Sequence, residues 1–112
     1  MNNSIHSEKC GYIPGINLCC HVIKNIEDKI KNFPNIFDKI NNINDTELIN
    51  YIGNKNNIKD FLLYFTLKYD INPEKYNNYR TYMLRLSILL KKCDPEFIKT
   101  PVYKLTSNFI FV

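Results

Sequence analysis

Apolar residues recur at intervals of three and four along most of the chain, the spacing that gathers side chains on one face of an α-helix. The longest such run is Pro73 to Cys93, where Tyr76, Tyr79, Met83, Leu86, Leu90 and Cys93 share a face. Tyr82, Leu84, Ile88 and Leu89 widen it, so the second half of the run is nearly apolar all round and is expected to be buried against several partners. The pattern predicts a central helix over 73–93, with Asn72 as its cap and Pro73 in the first turn, where a missing N–H costs nothing.

Shorter runs surround it. A first helix is expected over about 18–33, capped by Asn17, with Cys19, Val22, Ile23, Ile26, Ile30 and Phe33 inward and Glu27–Lys31 as an i,i+4 ion pair. Ile36, Phe37, Ile40 and Ile43 predict a second helix of two or three turns after Pro34. Asn44 or Asp45, followed by Glu47, reads as the start of a third, which Gly53-Asn54 stops. Residues 54–57 read as a loop. Ile58, Phe61, Leu62, Phe65 and Tyr69 predict a fourth helix over about 58–69, with a strand as the alternative for 61–69 because aromatic residues are dense there. Pro95 and Glu96 begin one further turn through Phe97 and Ile98, Pro101 ends it, and residues 102–112 read as an extended tail.

These elements amount to an all-α fold, a small bundle of about five helices around helix 73–93 with an extended C-terminal tail. At 112 residues the chain has room for one core. Residues 1–16, broken by Gly11, Pro14 and Gly15, read as an N-terminal arm, and 17–112 as a single helical domain. The apolar ending Phe109, Ile110, Phe111 and Val112 must either pack back on the bundle or bind a partner.

Composition sharpens this picture in two ways. Ala and Trp are absent, Tyr and Phe supply 15 residues, and Ile, Asn and Lys are abundant, which reads as the translation of an AT-rich genome such as that of a large DNA virus, a phage, an apicomplexan parasite or a low-GC bacterium. The net charge of +4 sits entirely in residues 57–112, a mild field that favours acidic partners. No apolar run reaches 18 residues, so no transmembrane segment is expected. The N-terminus lacks a signal peptide's basic region and apolar core, so an intracellular protein, cytoplasmic or nuclear, with reduced thiols is expected.

Candidate chemistry is sparse. His6, Cys10, Cys20 and His21 carry zinc-ligand side chains, but the H-x3-C-x8-C-C-H spacing lacks the paired short intervals of a zinc knuckle, and neighbouring Cys19 and Cys20 diverge by about 100° on a helix. Small buried hydrophobes account for these cysteines, and Cys93 on the inner stripe is expected in the core. There is no HExxH, glycine-rich phosphate loop or EF-hand, and carboxylates fall at helix starts, so no enzyme and no cofactor are expected. Arg80, Arg85, Lys91, Lys92, Lys99 and Lys104 could contact nucleic acid, aided by stacking tyrosines, but Arg80 with Lys91 and Arg85 with Lys92 fall on different faces. Two arginines in the whole chain are few for base or phosphate recognition.

The leading expectation is a non-enzymatic protein–protein interaction domain: an adaptor, inhibitor or assembly factor. From a large DNA virus it would serve host-factor binding or virion and replication-complex assembly. Its partner would meet Tyr76, Tyr79, Tyr82, Phe109 and Phe111, since aromatic side chains dominate binding hot spots. A homo-oligomer falls within the same class. The alternatives are a nucleic-acid-binding accessory protein and a small zinc-binding protein.

Overall fold

The computed structural model describes residues 20–110. Within them the chain forms six α-helices and one 3₁₀ turn: α1 (Cys20–Ile30), α2 (Ile36–Asn42), α3 (Asp45–Ile52), α4 (Lys55–Ile71), α5 (Tyr79–Cys93), the 3₁₀ turn Pro95–Lys99, and α6 (Pro101–Ile110). The all-α bundle is as the periodicity predicts, and 61–69 is helical throughout. Its hub is displaced from the expected one. α4 packs on α1, α3, α5 and α6, and is the central helix. Seven of its side chains are buried, on more than one face: Ile58, Phe61, Leu62, Leu63, Phe65, Thr66 and Leu67. A helix apolar all round is stable only where neighbours cover it on several sides, and α4 fits that condition better than α5.

The caps explain where the helices begin. Asn44 Oδ1 accepts the Glu47 N–H at 2.8 Å while Asn44 Nδ2 donates to the Glu47 carboxylate at 2.7 Å, a reciprocal cap that starts α3. Gly53 then ends α3 at a φ of 99°, a left-handed conformation that a side chain would strain. Residues 54–57 are not a loop. Asn54 Oδ1 caps α4 by accepting the Asn57 N–H at 2.8 Å, so the helix opens at Lys55. An asparagine-rich stretch reads as a turn, yet its first Asn is also a start signal where apolar residues at helical spacing begin a turn later, here at Ile58.

Residues 73–78 depart from the expected helix 73–93. Tyr79, Arg80 and Thr81 donate their N–H groups to the carbonyls three residues back, at Tyr76, Asn77 and Asn78, the tighter pattern of successive turns. Asn72 Oδ1 accepts the Lys75 N–H at 3.1 Å, stabilising a turn in place of helix. α5 therefore starts at Tyr79.

The C-terminal segment is the second correction. Residues 101–110 form α6, not an extended tail. Thr100 Oγ1 accepts the Tyr103 N–H at 3.2 Å and donates to the Phe97 carbonyl at 2.7 Å, and Pro101 takes the first helical position. Pro101 starts a helix here because that position needs no N–H. Thr106 faces inward and meets α4: Thr66 spends its only proton on the Leu62 carbonyl at 2.8 Å, so Thr106 donates to Thr66 Oγ1 at 3.0 Å. Phe109 packs edge-on against Tyr69 at 5.5 Å, so this part of the apolar ending does pack back on the bundle.

α1 lies across α4 through Ile26 and a polar seam. Glu27 pairs with Lys68 at 3.5 Å and accepts from the Tyr64 hydroxyl at 3.2 Å; Lys29 pairs with Asp60 at 2.7 Å. The expected Glu27–Lys31 pair is replaced by these tertiary contacts, and Lys31 turns to Asp28 at 3.7 Å. Phe33, past the end of α1, wedges between Tyr51 and Phe61 with ring centroids 5.5 and 5.3 Å away. No helix among the described residues is long and apolar enough to cross a membrane.

Candidate partner-binding site on the fifth helix

α5 carries Tyr79, Arg80, Tyr82, Arg85, Lys91 and Lys92 from the candidate binding residues, and the structure distributes them over several faces. Tyr79 and Tyr82 are half-buried in a ring cluster with Phe37 and Phe65: Tyr79 stacks on Phe37 at 5.9 Å and meets Phe65 at 5.1 Å, and Tyr82 lies 5.1 Å from Phe37. Tyr76 extends the cluster, 5.0 Å from Tyr79. These rings join α2, α4 and α5. Burial, ahead of the neighbouring tyrosines, pushes the Tyr79 hydroxyl above its ordinary pKa.

Beside this cluster a cleft of about 400 Å³ is lined by Glu27, Ile30, Lys31, Phe37, Tyr64 and Tyr79. The Lys68 ammonium reaches the same neighbourhood, 5.4 Å above the Tyr64 ring and 5.9 Å from that of Tyr76. The cation-accepting rings are thus met by the chain's own lysine, neutralised by Glu27. Burial, then the Glu27 charge, raises the pKa of Tyr64 well above the usual tyrosine value.

The basic set is dispersed among partners. Arg85 is built into the fold: its guanidinium donates to the carbonyls of Ile40 at 2.6 Å and Ile43 at 2.8 Å, and to Asp45 Oδ1 at 2.8 Å. It closes the C-terminal end of α2 and holds the first residue of α3. Lys92 adds a second cation to Asp45 at 2.9 Å. Hydrogen bonds from Lys92, then from Arg85, hold the Asp45 carboxyl below the usual aspartate range. Arg80 donates to the Phe109 carbonyl at 2.8 Å, Lys91 lies over the Tyr103 ring at 5.3 Å, and Lys99 pairs with Glu96 at 3.3 Å. Lys104 is exposed on α6.

Two expectations for α5 are reversed. Cys93 is exposed, not core. Leu84 and Ile88, which the sequence spacing places on a buried face, are each 41% exposed. With Thr81 they form a stripe along the outer side of the helix, while Met83, Leu86, Leu89 and Leu90 face the core. On one side of the stripe a depression of about 270 Å³ is lined by Ile40, Asn41, Thr81, Leu84, Arg85 and Ile88. On the other, one of about 360 Å³ is lined by Asn77, Asn78, Arg80, Thr81, Leu84 and Ile110. Thr81 and Leu84 belong to both, so the two hollows flank one ridge. The sequence signal for this site is present but ambiguous: a face too wide for one neighbour shows only that some apolar residues must stay outside.

Among the zinc candidates, His6 and Cys10 lie outside the described residues, as does the Cys20 side chain; His21 sits exposed on α1. Phe111 also lies outside them. Among the described residues no three His, Cys, Asp or Glu side chains converge as a metal site. Comparison of the chain with family models, with curated proteins and with solved structures finds no match.

Proposed function

We propose that this chain is a protein–protein interaction domain whose binding surface is the outer ridge of α5. One observation carries the reading: Leu84 and Ile88 stay exposed on a helix that buries Met83, Leu86, Leu89 and Leu90 in the core, and hollows flank the ridge on both sides. Apolar side chains grouped beside concave surface are what a docking partner buries. The tyrosines at the start of α5 support the same surface from behind, by fixing α2 and α4 against the helix.

The test is affinity purification from the native source with the wild-type chain and with Leu84→Glu/Ile88→Glu. Both positions are exposed, so the paired variant is expected to keep its helical circular dichroism. A partner identified with the wild type and lost with the variant supports the reading. A partner retained equally by both overturns it.

A further inference from the structure

Resting on the reading of the α5 ridge as a binding surface, we infer that its partner is an amphipathic helix with an acidic rim, laid along α5 so that its apolar side chains cover Leu84 and Ile88 and enter the hollow beside Ile40. Thr81, Leu84 and Ile88 follow one another at intervals of three and four, so the exposed stripe has the pitch of a helix. The hollow walled by Ile40, Leu84 and Ile88 is the apolar one and can receive an apolar side chain from a helix lying along the ridge, whereas the hollow edged by Asn77, Asn78, Arg80 and Thr81 is polar and suits the rim of that helix.

Charge selects the rim. The side chains lining the two hollows include Arg80 and Arg85 and no carboxylate. Asp45 is shared between Arg85 and Lys92, so that these three side chains together carry one net positive charge. On the other flank Arg80 is exposed, bonds to a backbone carbonyl, and has no carboxylate within ion-pair distance among the described residues. Glutamates or aspartates bordering the apolar face of a docked helix would meet cations on both sides.

The same charges argue against a second copy of the chain as occupant. A two-fold contact through α5 presents the same patch to itself. The cationic borders that carry Arg80, Arg85 and Lys92 would then face a surface with the same cationic borders and no facing acidic ones, and like charges brought together at an interface cost binding energy.

The experiment uses the full chain as bait for a displayed library of helical peptides of about 18 residues, roughly five turns. Apolar residues occupy i, i+3, i+4 and i+7, and the flanking positions are randomised between Glu and Lys. The expected result is enrichment of Glu-flanked peptides. Their binding should fall more than tenfold with Leu84→Glu/Ile88→Glu and about fivefold with Arg80→Glu, and should weaken as salt rises. Enrichment of Lys-flanked peptides, no enrichment, or binding that survives the paired substitution overturns the inference. So does a dimer seen by sedimentation that the paired substitution dissolves, because the occupant is then a second copy. If the native partner is lost with the paired variant while no acidic peptide is selected, the binding surface stands and only its partner's chemistry is wrong. If native capture ignores the paired variant, the surface itself is wrong.

Discussion

Replacing Arg85 with Met isolates the tie between α2, α3 and α5. Met keeps much of the side chain's length and apolar stem but removes every donor. The lost contacts are the bonds to the Ile40 and Ile43 carbonyls at 2.6 and 2.8 Å and the fork onto Asp45, whose closer arm is 2.8 Å. The Arg85 side chain is 24% exposed and that of Asp45 38%, so the ion pair is partly screened and contributes little by itself. The carbonyls weigh more. They lie at the end of a seven-residue helix with no following turn to satisfy them. With charged donors worth about 1.5–3 kcal/mol per shielded bond and partial rehydration after the substitution, the expected net loss is about 2 kcal/mol. For a chain of this size that lowers Tm by roughly 8–10 °C. Urea unfolding followed by far-ultraviolet circular dichroism should show a lower midpoint at an unchanged slope. Arg85→Lys keeps the charge but not the planar fork, and should recover less than half of the loss. A loss below about 0.5 kcal/mol for Arg85→Met, well under the ~1 kcal/mol of one ordinary hydrogen bond, would refute the claim that this side chain closes α2.

Ser87 is fully buried on α5 and its hydroxyl has no hydrogen-bond partner, so Ser87→Ala should leave stability unchanged or raise it by up to about 1 kcal/mol in the same urea assay. Asp45 and Asp94 both have depressed folded pKa values, Asp45 through Lys92 and Arg85 and Asp94 through Lys59 at 3.1 Å. Their contribution is complete above the unfolded aspartate value of about 3.9 and is lost as pH falls through the folded values; Tm should therefore drop on acidification below about pH 4, and Asp45→Asn should flatten that drop. Tyr64 and Tyr79 have raised folded pKa values, so their contribution is whole below about pH 10 and is lost as pH climbs. Ultraviolet titration should find both ionising at higher pH than an ordinary tyrosine while the chain is folded, and Tyr64→Phe should reduce the alkaline loss; all eight tyrosines titrating together about the ordinary value near pH 10 in the folded chain would contradict the burial of these two.

The all-α class and most helix positions were legible in the sequence because they rest on local physics. Spacings of three and four, the Asn44–Glu47 cap, the Gly53 stop and the turn begun by Pro95 each involve residues within a few positions of one another. Even α6 had a local signal, the Thr100-Pro101 cap with Val102, Leu105, Thr106 and Phe109 at helical spacing, which the alternation of residues 102–107 obscured. The choice of α4 over α5 as hub was decided by tertiary structure. Both are apolar on more than one face, and periodicity measures how much surface must be covered, not which neighbours arrive to cover it. The same holds for the binding surface. Arg85 reads alone as a free cation and becomes a helix closure only because the end of α2 lies beside α5. Leu84 and Ile88 read as core and lie outside because neighbours cover the other side of α5 and leave this ridge open. Sequence spacing sets a side chain's angle about its own helix; the long-range packing of the other helices sets what that angle faces.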